Sequence, residues 1–386
     1  MSVLWAFAAA ATFMLFWIYG GYGGFLQVLH GLHRHHRTPP AEPAPDQWPH
    51  VALLLTVHNE SKVIRQRLEN LLALDYPTER LQIVVASDGS TDTTCEIVRS
   101  FADPRIRLLQ YAGLGKTAAQ NAALQEITSE IVAFTDADII FSTTWLKQVV
   151  RHFQNPEVGA VDGRLCYGSP AVAQVQASQG RYWLYEMKLR RLESELGILA
   201  VLSGAGFALR RTAFVPMDPA IGEDCIVPLD VVSQGLLVIH DPDALHYDEF
   251  ETDTGVTMRR RVRMTLRNWQ GTWQRSRLLN PLRHPGYAFA LWSHKILRWL
   301  SPVFLLTAAG SAAGLLLQQV TIPRLLLATP YAALFAAAAF HWLFERRRRL
   351  LPGTGAAYSF VLANTAFIIG VAKAVAGWQI RAYRNT

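Results

Sequence analysis

The chain has 386 residues, of which 51% are hydrophobic, and its formal net charge is +7 at pH 7. Residues 1–33 contain no Asp, Glu, Lys or Arg, and Arg324 is the only formal charge between Arg298 and Glu345. The basic residues flank the apolar stretches or form one cluster, which favours membrane lipids and phosphate groups as partners and argues against nucleic acid. The three cysteines are far apart in the sequence, which argues against disulfides and a zinc site.

Four stretches are long and apolar enough to cross a bilayer, which takes about 20 residues in a helix. The first is residues 3–29. A cleaved signal peptide is the alternative there, but the segment lacks a basic start and its apolar run is too long. The others are residues 299–317, 325–344 and 356–378. We therefore predict one N-terminal and about three C-terminal transmembrane helices.

Basic loops predict how these helices are oriented. Arg34 and Arg37 follow the first span, and residues 346–349 are four consecutive arginines between the last two spans. Placing both loops inside puts the middle of the chain in the cytoplasm. The predicted organisation is a transmembrane helix at residues 1–30, a basic and proline-rich linker at 31–49, a soluble domain at 50–280, an interfacial helix at 281–298 and transmembrane helices at 299–386.

Strand-like and helix-like patterns alternate through the soluble domain. Residues 51–57 form a continuous apolar run, which is typical of a strand buried on both faces. The other strands are predicted at residues 81–86, 106–111 and 131–135, with helices at residues 60–74, 91–101 and 117–127. This order predicts a parallel α/β sheet, in which ligands bind beyond the carboxyl ends of the strands.

Two common nucleotide-binding motifs are absent from this sequence. The first strand continues into Thr56-Val57-His58-Asn59-Glu60 instead of a glycine-rich turn, which argues against a dinucleotide-dependent dehydrogenase. Gly115-Lys116-Thr117 resembles the end of a P-loop, but Gln110 stands where that motif requires glycine. An ATPase is therefore also disfavoured.

Carboxylates occur where two of the predicted strands end. Asp88 and Asp92 follow the second strand, and Asp136 and Asp138 follow the fourth. Two carboxylates one residue apart can hold Mg²⁺ or Mn²⁺, which completes its shell with water and substrate phosphates. The alternative is that Asp92 or Asp138 caps the following helix. His246 is a lesser candidate for a third metal ligand, with a structural role as its alternative.

Two further groups lie downstream. Asp224 precedes a predicted helical run at residues 225–234 and is a candidate general base for a sugar hydroxyl, although acidic residues are also common in a first helical turn. Arg260, Arg263 and Arg267 share one helical face. This row could bind a diphosphate bidentately or rest on anionic lipid headgroups.

In order and spacing, these motifs resemble the inverting family 2 glycosyltransferases with a GT-A fold. The similar branch is the membrane-bound one that includes cellulose, hyaluronan and poly-N-acetylglucosamine synthases, and the resemblance runs from about Val51 to Leu300. It implies a Rossmann-like, mostly parallel α/β domain and a nucleotide-sugar donor, by family precedent a UDP-sugar. It also implies Mg²⁺ or Mn²⁺, a glycan or lipid-linked acceptor, and bacterial exopolysaccharide synthesis at the inner membrane with export or polymerisation subunits.

The resemblance assigns roles to individual positions. Asp224 matches the catalytic base, and Asp136 and Asp138 match the pair that holds the metal. Gly204 and Glu223 fall at the acceptor site. The donor-binding positions are Thr56, Asn59, Glu60, Asp88, Lys116, Asp136, Arg260 and Arg263. His58 stands where the family usually has Tyr.

One departure from the family concerns polymer formation. The polymer-forming relatives carry a Gln-x-x-Arg-Trp motif, whereas this chain has Arg260 for the Gln and Met264 for the Trp, with Arg263 kept. We therefore expect one sugar, or a few, to be added per encounter. Two alternatives stay open: transfer of a single sugar to a polyprenyl-phosphate lipid, and a non-enzymatic membrane scaffold with an inactive transferase domain.

Overall fold

A computed structural model of the chain describes residues 3–32, 40–168, 180–248, 253–344, 351 and 353–379. The chain divides into two compact units. The sheet unit consists chiefly of Leu29–Phe250 and Gln270–Ala288. The membrane unit consists of Met1–Val28, Glu251–Trp269 and Phe289–Trp378.

The sheet unit is built on one eight-stranded sheet of order β3-β2-β1-β4-β7-β6-β8-β5. Its strands are β1 Val51–Val57, β2 Leu81–Asp88, β3 Ile106–Tyr111, β4 Ile131–Thr135, β5 Ile140–Phe141, β6 Val158–Tyr167, β7 Gly206–Arg210 and β8 Leu237–Asp248. Strands β1 to β4 pair in parallel, as do β6 and β8. Strand β7 is antiparallel to both β4 and β6, and β5 is antiparallel to β8. The predicted mostly parallel sheet is confirmed.

The helices are distributed over both units. They are α1 Val3–Phe16, α2 Tyr22–Leu32, α3 Ile64–Leu72, α4 Thr94–Arg99, α5 Lys116–Glu126, α6 Trp145–Val150, α7 Gly180–Glu195, α8 Glu223–Ser233, α9 Thr254–Gln274, α10 Pro285–Ala290, α11 Leu297–Trp299, α12 Ser301–Gln318, α13 Ile322–Phe344 and α14 Thr354–Val375. A π-helical turn joins α1 to α2, and another joins α10 to α11.

Burial of apolar side chains on β1 and on the helix after it organises the core. Leu53 and Leu55 are fully buried on the central strand β1, and Ile64, Leu68 and Leu71 form the buried stripe of α3. These spacings of three and four residues are those of one helical face. Because β1, β2 and β4 run in the same direction, the loops that follow them emerge at one edge of the sheet.

Four described helices have the length and composition of membrane spans: Val3–Leu32, Ser301–Gln318, Ile322–Phe344 and Thr354–Val375. The predicted one N-terminal and three C-terminal spans are therefore confirmed by length and composition. The basic loops that set the predicted orientation, Arg34 to Arg37 and Arg346 to Arg349, lie outside the described residues.

Polar contacts link three of these helices inside the membrane unit. The Tyr19 hydroxyl lies 2.9 Å from Ser301 Oγ, and Ser301 Oγ donates to Asn364 Oδ1 at 2.6 Å. Hydrogen-bonded polar groups are favoured between membrane helices because hydrocarbon offers them no other partner. These contacts hold the N-terminal helix to α12 and α14.

Candidate active site

Lys116 joins three of the predicted site elements at the carboxyl edge of the sheet. It is the first residue of α5, where Gly115 precedes it with a φ of 92° that favours glycine. Its Nζ lies 2.6 Å from Asp136 Oδ1 and 2.5 Å from Glu223 Oε1. The end of β4, the start of α5 and the start of α8 are thus connected through one ammonium group.

The acidic residues at this edge act on one another. Burial raises the pKa of Asp136 to about 6, with a further increase from the carboxylates of Glu223 and Asp138 and an opposing effect of Lys116. Burial also raises the pKa of Glu60, and the carboxylates of Asp138 and Asp136 add to that increase. This mutual repulsion creates a negative potential that a bound cation would relieve.

The donor set fits a weakly held Mg²⁺ or Mn²⁺. Asp136 and Asp138 supply two carboxylates one residue apart, and such ions usually complete their shell with water and substrate phosphates. Within the described residues no group of three or more His, Cys, Asp and Glu side chains converges as a metal site. A cation held here would therefore depend on the donor phosphates for its remaining ligands.

His246 occupies an apolar position on β8. Its ring is fully buried, contacts Phe141 and Trp145 edge-on, and has Nε2 3.5 Å from Ser203 Oγ. Burial lowers the pKa of His246 to about 3, so the imidazole is neutral. These contacts favour the structural alternative over a metal ligand.

Asp88 holds the loop that precedes α5. Its Oδ1 accepts a hydrogen bond from the backbone N–H of Leu114 at 2.6 Å, and its Oδ2 accepts one from Gly115 at 2.7 Å. The Asp88 carbonyl oxygen lies 2.7 Å from His58 Nδ1. Asp88, a predicted donor-binding residue, is therefore connected to the segment that positions Lys116.

The segment after β1 is held by polar contacts with the loop after β2. Asn59 has a φ of 56°, and its Oδ1 accepts a hydrogen bond from Thr91 N at 2.8 Å. Asp92 Oδ1 accepts one from the backbone N–H of Thr94 at 3.0 Å. The Asp92 carboxylate thus contacts the first turn of α4, whose N-cap residue is Thr93, and its Oδ2 also accepts a hydrogen bond from Ser61 N at 3.1 Å. The Thr56 hydroxyl is buried and has no hydrogen-bond partner in the described part of the chain.

The predicted base lies beside the predicted acceptor loop. A Cβ added at Gly204 would lie 3.3 Å from both Cγ and Oδ2 of Asp224, so the loop backbone packs directly on this carboxyl group. Glu223, which was predicted at the acceptor site, is buried and paired with Lys116. Its acceptor role stays a prediction.

The structure places Arg260 and Arg263 on α9, within the membrane unit. Their contact with the donor stays a prediction. Met264, one residue further along the same helix, is 53% exposed.

Behind the Gly204 loop lies a buried polar cluster that sequence reasoning missed. Asp162 on β6 accepts hydrogen bonds from Ser203 N at 2.9 Å and from Arg190 Nη1 at 3.1 Å. Its other oxygen lies 2.7 Å from His240 Nδ1. A carboxylate within a buried strand is rare unless paired, and that was the signal available in the sequence.

Comparison with known proteins shows that the chain is similar to glycosyltransferases. Residues 53–215 match the family model described as "Glycosyl transferase family 2", and the match covers less than half of the chain. A poly-beta-1,6-N-acetyl-D-glucosamine synthase of Staphylococcus aureus is 25% identical over 230 residues, which are 56% of this chain and 54% of the relative. A beta-monoglucosyldiacylglycerol synthase of a Synechocystis species is 29% identical over 171 residues, covering 43% of this chain and 36% of the relative.

The chain therefore spans between about a third and just over half of the length of these curated relatives. Among solved structures, it resembles the mannosyltransferase PcManGT from Pyrobaculum calidifontis, solved in complex with GDP-Man and Mn²⁺. The TM-score is 0.73 at 23% identity, and the match covers 97% of this chain and 99% of the other. This similarity shows the fold, which is a Rossmann-like GT-A domain combined with membrane-length helices.

The close packing at Gly204 leads to a first prediction. In Gly204→Ala the new methyl group would displace the Asp224 carboxyl group by a few tenths of an ångström. Because turnover is sensitive to such displacements, we expect kcat to fall about tenfold with the donor KM little changed. Steady-state kinetics would check this. Gly24→Ala is the control variant, because a Cβ added at Gly24 would have no atom within 4 Å. Gly235 is unsuitable as a control, because its φ of 79° would strain an alanine.

Proposed function

We propose that the chain is a membrane-anchored, inverting hexosyltransferase that moves a sugar from a nucleotide-sugar donor to a polysaccharide or lipid-linked acceptor. The observation that carries this proposal is the Lys116 bridge between Asp136 and Glu223, with Asp224 as the next residue of α8. It joins a cation-binding carboxylate pair to a carboxylate suited to act as a base.

In this proposal, each residue has a distinct chemical task. Asp136 and Asp138 would hold Mg²⁺ or Mn²⁺, which supplies charge neutralisation for the donor diphosphate. Lys116 adds a fixed positive charge at the same edge. Asp224 accepts the proton of the acceptor hydroxyl as that oxygen attacks the anomeric carbon. The nucleoside diphosphate leaves with the electron pair of the broken C–O bond, so a single displacement inverts the configuration.

UDP is the donor nucleotide that the family resemblance favours. The solved protein with the same fold was studied with GDP-Man, so GDP-sugars also belong in any test. We place the domain on the cytoplasmic side of a bacterial inner membrane, because the arginine-rich loops of the sequence favour that side and nucleotide sugars are supplied there. Exopolysaccharide synthesis and partner subunits remain part of this proposal.

A second candidate function is the transfer of one sugar to a polyprenyl-phosphate lipid. Two observations favour it: Met264 replaces the Trp of the polymer-forming motif, and a glycolipid synthase is among the relatives. Met offers no flat face on which a sugar ring can stack. We therefore expect products carrying one sugar or a few.

Product analysis tests both functions. Purified protein would be incubated with radiolabelled donor, Mn²⁺ and a membrane extract, and the products separated by size and by solubility in organic solvent. A labelled lipid with a single sugar supports lipid loading, and a short water-soluble glycan supports a carbohydrate acceptor. A high-molecular-weight product beside unused acceptor would refute the expected short addition. Absence of any labelled product would favour the inactive scaffold.

A further inference from the structure

Arg67 is an unusual residue in the core of the sheet unit. It lies on the buried face of α3 with no exposed surface, in a position where an aliphatic residue would be ordinary. Its Nη2 donates to Thr135 Oγ1 at 2.6 Å and its Nη1 to Asn70 Oδ1 at 2.5 Å. Its guanidinium carbon lies 4.3 Å from the centre of the Phe141 ring, and among the described residues Arg67 forms no ion pair with a carboxylate. A buried charge with neutral partners is costly, which calls for a functional explanation.

Arg67 and Asn70 hold both ends of the segment that carries the metal-binding pair. Thr135, which accepts from Arg67, directly precedes Asp136. At the other end, Asn70 Oδ1 accepts from Phe141 N at 2.9 Å, and Asn70 Nδ2 donates to Phe141 O at 2.9 Å. One turn of α3 therefore fixes the backbone on either side of the Asp136 to Asp138 loop.

Thr135 also connects Arg67 to the acceptor loop. The Thr135 hydroxyl oxygen accepts a hydrogen bond from Arg67, so the hydroxyl proton can be donated to a second acceptor. Ala205 O lies at 3.1 Å, closer than the alternative Asp136 O at 3.5 Å. Ala205 follows Gly204, whose backbone packs on Asp224. A continuous path of contacts thus runs from Arg67 through Thr135 to the loop behind the proposed base.

The charge on Arg67 also acts on the carboxylates. Burial lowers the pKa of Arg67 to about 9, while the carboxylates of Asp136 and Asp138 counteract that decrease. The guanidinium is therefore charged at neutral pH and attracts the two carboxylates from inside the core.

We propose that Arg67 is a positioning residue that acts through Thr135. It sets the Asp136 and Asp138 loop and the Gly204 loop in one mutual arrangement, so that donor and base are correctly placed for transfer. This inference rests on the proposed transferase function for its kinetic consequence, but its structural consequence is independent of that function. Mutation of a residue that orients metal ligands without touching the metal typically lowers activity by about 10- to 100-fold.

Thr135→Val is the sharpest test, because it keeps the side-chain shape and Arg67 while removing the hydroxyl that joins the two loops. We expect kcat to fall about tenfold, with the donor KM within about threefold of wild type. Arg67→Lys, which keeps the charge, should retain more activity than Arg67→Met. Arg65→Met changes an exposed arginine on the same helix and should leave kcat unchanged.

Hydrogen exchange of residues 203–206 supplies a readout that does not depend on activity. The Gly206 amide is hydrogen-bonded to Ser203 O at 3.3 Å, and we expect it to exchange faster in Thr135→Val than in wild type. A variant with wild-type kcat and a lower melting temperature would overturn the positioning role. If the wild-type protein transfers no sugar, the proposed function fails. Hydrogen exchange at residues 203–206 that is the same in Thr135→Val and in the wild type would overturn the positioning role of Arg67, whatever the activity.

Discussion

Asp224→Asn is expected to abolish sugar transfer while leaving donor binding close to that of the wild type. Asp224 lies against the Gly204 loop, whereas its neighbour Glu223 is the residue paired with Lys116 on the donor side. Asn has nearly the same shape but cannot take a proton from the acceptor hydroxyl. General-base catalysis contributes about 10²–10⁴-fold, so the loss should appear in kcat.

Calorimetry with the donor and steady-state kinetics would separate binding from turnover in this variant. Asp218→Asn is a suitable control, because Asp218 is a carboxylate with structural partners: it accepts hydrogen bonds from Ala220 N at 2.9 Å and Gln274 Nε2 at 2.8 Å. This control should keep wild-type turnover. If Asp224→Asn binds donor and turns over within a few-fold of wild type, Asp224 is not the base.

Asp136→Ala and Asp138→Ala are expected to remove the metal-dependent binding of the donor. Burial and neighbouring carboxylates raise the pKa of Asp136, and a divalent cation would relieve this repulsion. Without either carboxylate the cation loses one of its two protein ligands at the end of β4. We expect kcat/KM to fall by about a hundredfold or more, as for other losses of a main electrostatic group.

Titration of each variant with donor in Mn²⁺ and in EDTA would measure this effect. Asp103→Ala is the matched control, because Asp103 pairs with Arg105 at the amino end of β3, away from the edge of the sheet that carries the predicted site. This variant should leave donor binding intact. Wild-type affinity in both Asp136→Ala and Asp138→Ala would exclude the metal role. If Asp138→Ala lowers the stability of the protein but leaves donor binding unchanged, the result would support the alternative that Asp138 caps the following helix.

The sheet was predictable because its central strands are buried on both faces. Such strands appear in the sequence as continuous apolar runs, and β1 and β4 have the predicted bounds. The edge strand β3, which is only partly buried, also has its predicted bounds. The start of α3 was less accurate: the helix begins at Ile64 rather than at residue 60. Residues 60–63 instead form a turn, in which Glu60 N donates to Thr94 Oγ1 at 2.8 Å. Such a contact with a residue of another helix leaves no pattern in the neighbouring sequence.

The site was predictable in its residue types and less so in its pairings. Asp136 and Lys116 were expected near the donor, and their 2.6 Å contact agrees with that expectation. The pairing of Lys116 with Glu223 joins the first residues of α5 and α8, which are far apart in the chain, and sequence spacing does not reveal such a contact. Arg67 was not among the predicted site residues, although its position three residues after Ile64 and four before Leu71 places it on the apolar face of α3.

The most direct test of the central claim is nucleotide release by the purified wild-type protein from a panel of UDP- and GDP-sugars, with a lipid or glycan extract as acceptor. We expect one donor, most simply a UDP-sugar, to release its nucleoside diphosphate in Mn²⁺ or Mg²⁺, and EDTA to stop that release. Asp224→Asn should release almost none under the same conditions. Release that is equally fast in EDTA would contradict the metal role of Asp136 and Asp138. Absence of release from every donor would contradict the assignment as a glycosyltransferase.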